Sequence, residues 1–147
     1  MSGVRFIGPF QWMGPIEVDD SAEIARGDFV TVTAGEATEI ATGTNVNLAV
    51  ALDKYPDDEY EGTKTRIDVG RLGEDCEIEV AFETADTAGI EVADLRNTGP
   101  YRLHEDGYVD IDSTANGVFQ ALRLGRDTQY GDMTGFIVGV VTDAASL

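Results

Sequence analysis

Cys76-Glu77-Ile78-Glu79-Val80-Ala81-Phe82 alternates without a break. Cys76, Ile78, Val80 and Phe82 fall on one face; Glu77, Glu79 and Ala81 fall on the other, and Glu83 continues the polar set. A period of two is the signature of a strand with one face buried and one in water. This spacing predicts a strand whose glutamates are solvated.

The same logic extends in both directions. Phe29-Val30-Thr31-Val32-Thr33 is β-branched and alternating, and Thr65-Arg66-Ile67-Asp68-Val69 alternates as well. Leu48-Ala49-Val50-Ala51-Leu52 is apolar throughout and reads as a strand buried on both faces. Further strands are expected at Tyr101–His104, Tyr108–Ile111, Val118–Leu124 and Phe136–Val141. Glycine punctuates these runs, and Asp106-Gly107 and Asn116-Gly117 are hairpin signals. No segment keeps a helical period for three turns; short helical turns fit Ser21–Ala25 and Thr87–Leu95. The pattern predicts an all-β chain, a single β-barrel domain over residues 19–147.

Ala22-Glu23-Ile24-Ala25-Arg26-Gly27-Asp28 is echoed by Ala88-Gly89-Ile90-Glu91-Val92-Ala93-Asp94. Ala, Ile and Asp match in register, and each copy precedes a strand-rich stretch. Such an echo implies two related halves folded into one barrel.

Residues 1–18 read differently. Phe6, Ile7, Phe10, Trp12, Met13 and Ile16 are interrupted by Gly8-Pro9 and Gly14-Pro15, which forbid a continuous helix. The segment is read as an extended N-terminal arm. So apolar an arm must pack on its own domain or on a neighbour, and the neighbour is favoured because terminal segments are otherwise poorly tied down.

Charge bounds the function. The 147 residues carry 28 acids against 10 bases, a net −18. Eight of the bases are Arg and two are Lys. Phosphate recognition needs clustered Lys and Arg, so nucleic acid is not an expected partner, nor is an anionic membrane. No apolar run reaches the roughly 20 residues of a membrane helix, and the first residues lack the apolar stretch of a signal peptide. In molar salt the Debye length falls to about 3 Å, so the self-repulsion of such a surface is screened. The paucity of Lys suits a saline habitat.

Little in the sequence suggests catalysis. His104 is the only histidine and Cys76 the only cysteine. His104 lies in an expected hairpin tip, away from any nucleophile-elbow serine. Cys76 sits on an apolar face beside acids, which suppress thiolate formation. No cofactor, catalytic residue or metal is expected. The nearest to metal ligands are Asp57 and Asp58 in one acidic loop and Asp110 and Asp112 in another. The second loop starts like an EF-hand but lacks its glycine and final glutamate. The rival to a structural role is an ion-dependent carbohydrate-binding module, or another surface-assembly domain, using these acidic loops.

Several features, taken in order, resemble the small capsid decoration (cement) proteins of tailed viruses, the β-tulip type. They are Ile24-Ala25-Arg26-Gly27-Asp28-Phe29-Val30, the run Leu48–Leu52, an acidic loop, Arg66-Ile67-Asp68-Val69-Gly70 and Glu77-Ile78-Glu79-Val80. Asp106-Gly107-Tyr108, Gly117-Val118-Phe119-Gln120-Ala121 and Gly135–Val141 complete the series. The resemblance covers residues 20–142 and implies a virion protein on the capsid exterior, made in the host cytoplasm. It implies binding to the major capsid protein and to itself as a trimer, and with the acidic composition it points to a haloarchaeal virus. Arg5, Phe6, Ile7, Phe10, Trp12 and Met13 of the arm are the expected capsid and subunit contacts.

Overall fold

Eleven strands and one short helix follow one another in the computed structural model, which describes residues 3–43, 45–57 and 65–147. The side chains of residues 94, 96 and 97 are also outside the description. The strands are β1 (Arg5–Phe6), β2 (Gln11–Val18), β3 (Phe29–Thr33), β4 (Glu36–Glu39), β5 (Leu48–Ala51) and β6 (Arg66–Arg71). They continue as β7 (Ile78–Glu83), β8 (Arg102–Leu103), β9 (Val109–Asp110), β10 (Phe119–Leu124) and β11 (Thr134–Val141). The helix, α1 (Val92–Asn97), lies between β7 and β8, and a 3-10 turn at Asp143–Ala145 follows β11.

Two sheets share this chain. The first is a closed barrel in the order β2-β4-β3-β5-β6. The second is a curled sheet in the order β10-β11-β7-β9-β8, with β1 attached to β7. Its ends meet where Tyr101, just before β8, bridges Phe119 at the start of β10.

The two sheets follow one path. In the barrel β2 runs antiparallel to β6 and parallel to β4; in the curled sheet β7 runs antiparallel to β11 and parallel to β9. The hairpin β3–β4 corresponds to β8–β9, and the pair β5–β6 to β10–β11. The echoed heptapeptides occupy the same connection in each copy. Ile24 exchanges two main-chain hydrogen bonds with Tyr55, in the β5–β6 loop. Ile90 makes its two with Asp132 and Gly131, in the β10–β11 loop. Both isoleucines are buried. The halves expected to share one barrel therefore each form a sheet of their own.

Packing follows alternation. Val30, Val32, Ala49, Ala51, Ile67 and Val69 fill the closed barrel, with Ile24 among them. The opposite faces of β3 and β5 present Phe29, Leu48 and Val50 to the second core, where they meet Ile78, Val80 and Phe82. Strand β5 is thus buried on both sides, which is why its sequence is apolar throughout.

Three expectations are corrected. Residues 11–18 are not an arm outside the body: β2 is a staple of the barrel, paired with β6 from Gln11↔Arg71 to Glu17↔Arg66. Gly14-Pro15, which hid this strand, is absorbed as a bulge between Met13 and Ile16. The two-residue hairpin loop is Ala34-Gly35, both with positive φ, and Asn116-Gly117 joins no adjacent strand pair. Finally, Glu79 is buried rather than solvated, at 2% exposure.

Candidate functional site

The leader runs from the curled sheet to the closed barrel and is held at both ends. Strand β1 pairs with the edge of β7, Arg5 opposite Glu79 and Phe6 opposite Ile78. Val4 N–H donates to Gly27 O at 2.8 Å, and Ile7 N–H to Glu77 O at 3.0 Å. Glu79 is the anchor. It accepts from Arg5 Nε at 3.3 Å, from Arg126 Nε at 2.9 Å and from the Arg126 backbone N–H at 3.1 Å. Arg126 also lies over the Phe136 ring at 4.4 Å. Two guanidiniums and a main-chain donor satisfy a carboxylate that burial alone would disfavour.

Six leader residues were the expected contacts, and they divide into two sets. Arg5 is committed to Glu79. Phe6 stacks on Phe10 with centroids 4.0 Å apart and lies over Gly70, where a side-chain carbon would come within 2.6 Å of its ring. Met13 packs against the barrel core. Ile7, Phe10 and Trp12 stay exposed, Trp12 at 63%. Trp12 sits directly across from Gly70 in the β2–β6 register, so it stands on the same outer face as the Phe6–Phe10 stack. Phe10 and Trp12 thus form an exposed apolar patch on the wall made by β2 and β6.

Of the other candidates, Asp110 and Asp112 are held within the fold. Asp110 accepts from Arg102 at 2.5 Å and from the Asp112 N–H at 3.0 Å. Asp112 accepts from the Thr84 hydroxyl and the Ala85 N–H, both at 2.6 Å. The two carboxylates are close, and both are turned to donors of this chain. Asp57 belongs to the other acidic loop, and Asp58 lies outside the described residues. Among the described residues no group of three or more His, Cys, Asp or Glu could hold a metal ion. His104 stacks on Tyr108 at 4.4 Å, and its Nδ1 accepts from the Asp106 N–H at 3.1 Å, bracing the β8–β9 turn. Burial pushes the Cys76 thiol up, with the Asp75 carboxylate adding to it, so the sulfur is held as a poor nucleophile.

Sequence reasoning missed Glu79 and Arg126. Their partners are far along the chain, and no local pattern signals the cluster. Compared with family models, curated proteins and solved structures, the chain matches none.

Proposed function

We propose that this protein is a structural subunit that decorates and stabilises the exterior of a viral capsid, binding the major capsid protein and assembling as a trimer. The observation that supports this reading is the exposure of Phe10 and Trp12 on the outer wall of the barrel, with Ile7 exposed earlier in the same leader. Apolar side chains fixed in water in this way mark a protein-binding surface. Burying each large side chain is worth about 1.5–3 kcal/mol, and repetition around a trimer multiplies the effect through avidity. The net charge of −18 fits work in molar salt, where repulsion between neighbouring subunits is screened.

Removing residues 2–16 does not test this reading, because it takes most of β2 out of the barrel. The test is Phe10→Ser with Trp12→Ser, two exposed changes. The protein is co-expressed at molar salt with the major capsid protein encoded in the same genome, and assembled shells are sedimented. The wild-type chain co-sediments in fixed ratio. The double variant stays folded by circular dichroism and loses about 100-fold or more in affinity, the sum of two anchors. Equal co-sedimentation of the variant, or none of the wild type, overturns the proposal.

A further inference from the structure

The duplicated path allows the two sheets to be compared residue by residue. Val18 N–H donates to Thr65 O at 2.9 Å, and Thr84 N–H donates to Met133 O at 3.0 Å, which sets the register. Counting back from there, Gln11, Trp12 and Met13 lie opposite Arg71, Gly70 and Val69. In the other copy, Ile78, Glu79 and Val80 lie opposite Gly139, Val138 and Ile137. Trp12 is therefore the positional counterpart of Glu79.

Besides the Arg126 loop that closes over Glu79, their surroundings differ at the strand edge. The edge of β7 at Ile78 and Glu79 is covered by β1, which brings Arg5 over Glu79. The matching edge of β2, at Gln11 and Trp12, has no strand beside it among the described residues. Strand β4 reaches β2 only at Glu17 and Val18. Glu79 is 2% exposed and Trp12 is 63% exposed. Pro15, lacking an N–H, ends the usable edge, so the opening matches the short pairing that β1 makes.

We propose that this edge of β2 takes an extended, arginine- or lysine-bearing segment of a partner protein as an added antiparallel strand, with the cation over Trp12. The proposal rests on the capsid-binding reading and names the chemistry its partner would bring. Main-chain hydrogen bonds supply the affinity, as in other strand additions. An indole face is the best aromatic surface for a cation. Charge selects the partner. Glu17 is already bridged to Arg66, and Arg71 donates to the Gln11 side chain. The exposed Glu36 and the net −18 of the chain are therefore what favour, at contact range, a basic segment over an equally acidic second copy at this edge.

Trp12 is the single tryptophan, so its emission reports on this edge alone. The full chain is titrated with two synthetic ten-residue peptides, one alternating Arg and Val, the other Glu and Val. The Arg-Val peptide should change Trp12 emission and slow amide exchange at residues 11–13 by about tenfold, and the Glu-Val peptide should do neither. Trp12→Thr should weaken the Arg-Val complex by about fivefold to thirtyfold. Unchanged exchange at residues 11–13 with the Arg-Val peptide overturns the proposal, even if the peptide binds elsewhere. Protection that arises on concentrating the protein alone also overturns it, because the edge would then belong to a second copy. Shell co-sedimentation without protection of residues 11–13 removes strand addition and leaves the capsid reading standing. Peptide protection without co-sedimentation does the reverse.

Discussion

The closed barrel and the curled sheet are two versions of one five-strand path, filled with different side chains. Alanines at positions 22, 37, 49 and 51 line the closed barrel, with Val30, Val32 and Val69. The curled sheet encloses Phe82, Tyr101, Leu103 and Phe119. Small interior residues let five short strands close on themselves. Aromatic residues hold the second copy wider, and its seam is reduced to the Tyr101–Phe119 bridge. The path of the chain stays constant while the side chains inside the two copies differ in volume.

The largest effect should come from a tightly packed point within the strands of the curled sheet. Gly139 of β11 lies beneath Phe119, and a side-chain carbon there would sit 2.1 Å from Gln120 O and 2.6 Å from the Phe119 ring. Its counterpart in the barrel is the exposed Arg71, which donates to Leu147 O at 2.8 Å. Gly139→Ala must move backbone and ring together and should cost about 3 kcal/mol or more, read as a fall in the urea midpoint. A cost below about 1 kcal/mol would show that the curled sheet can breathe at its seam, and that filling volume does not set its width.

Next come the two echoed isoleucines. Ile24 and Ile90 are buried plugs, each tied to the loop before the last strand of its copy. Ile24→Ala and Ile90→Ala should each cost about 2–4 kcal/mol. The two costs should agree to within about 1 kcal/mol if the copies are mechanically equivalent. A much smaller loss for Ile90 would show that α1 and Leu95 can collapse onto the vacancy, a repair for which the barrel has no helix among the described residues.

Much of this division was legible in the chain. Alternation in Phe29–Thr33 and the unbroken run at Leu48–Leu52 mark strands that the fold uses as expected; Cys76–Phe82 marks β7 but not the burial of Glu79, and the heptapeptide echo marks two copies that each form a sheet of their own. What stayed hidden has physical causes. Strand β4 is Glu36-Ala37-Thr38-Glu39, with only Ala37 buried, so it carries almost no apolar signal. Its hairpin turn uses Ala34 at positive φ, where Asn or Asp is the usual marker. Strand β2 is masked by Gly14-Pro15, which a bulge accommodates. Glu79 reads as solvated because its neighbours along the strand are polar; its arginines arrive from 74 and 47 residues away. Of the candidate site, the residue types in the leader were visible, but which of them face water was not.

The smallest expected effect is also the sharpest comparison, because it concerns one position in two copies. Glu79→Gln removes the charge that two arginines share. Both guanidiniums remain half in water, so the cost should be about 1–2 kcal/mol, below the 3–5 kcal/mol of a fully buried broken pair. Trp12→Thr at the matching position should change stability by no more than about 0.5 kcal/mol, since the indole covers little and threonine suits a strand. Thermal melts of the two variants, taken side by side, check both values. If Trp12→Thr costs as much as Glu79→Gln, the indole is already part of the folded body and the open edge of β2 is closed from within. If it costs nothing, then one copy has its edge strand built in, and a tryptophan held in water by a strand that does not need it is kept for a partner.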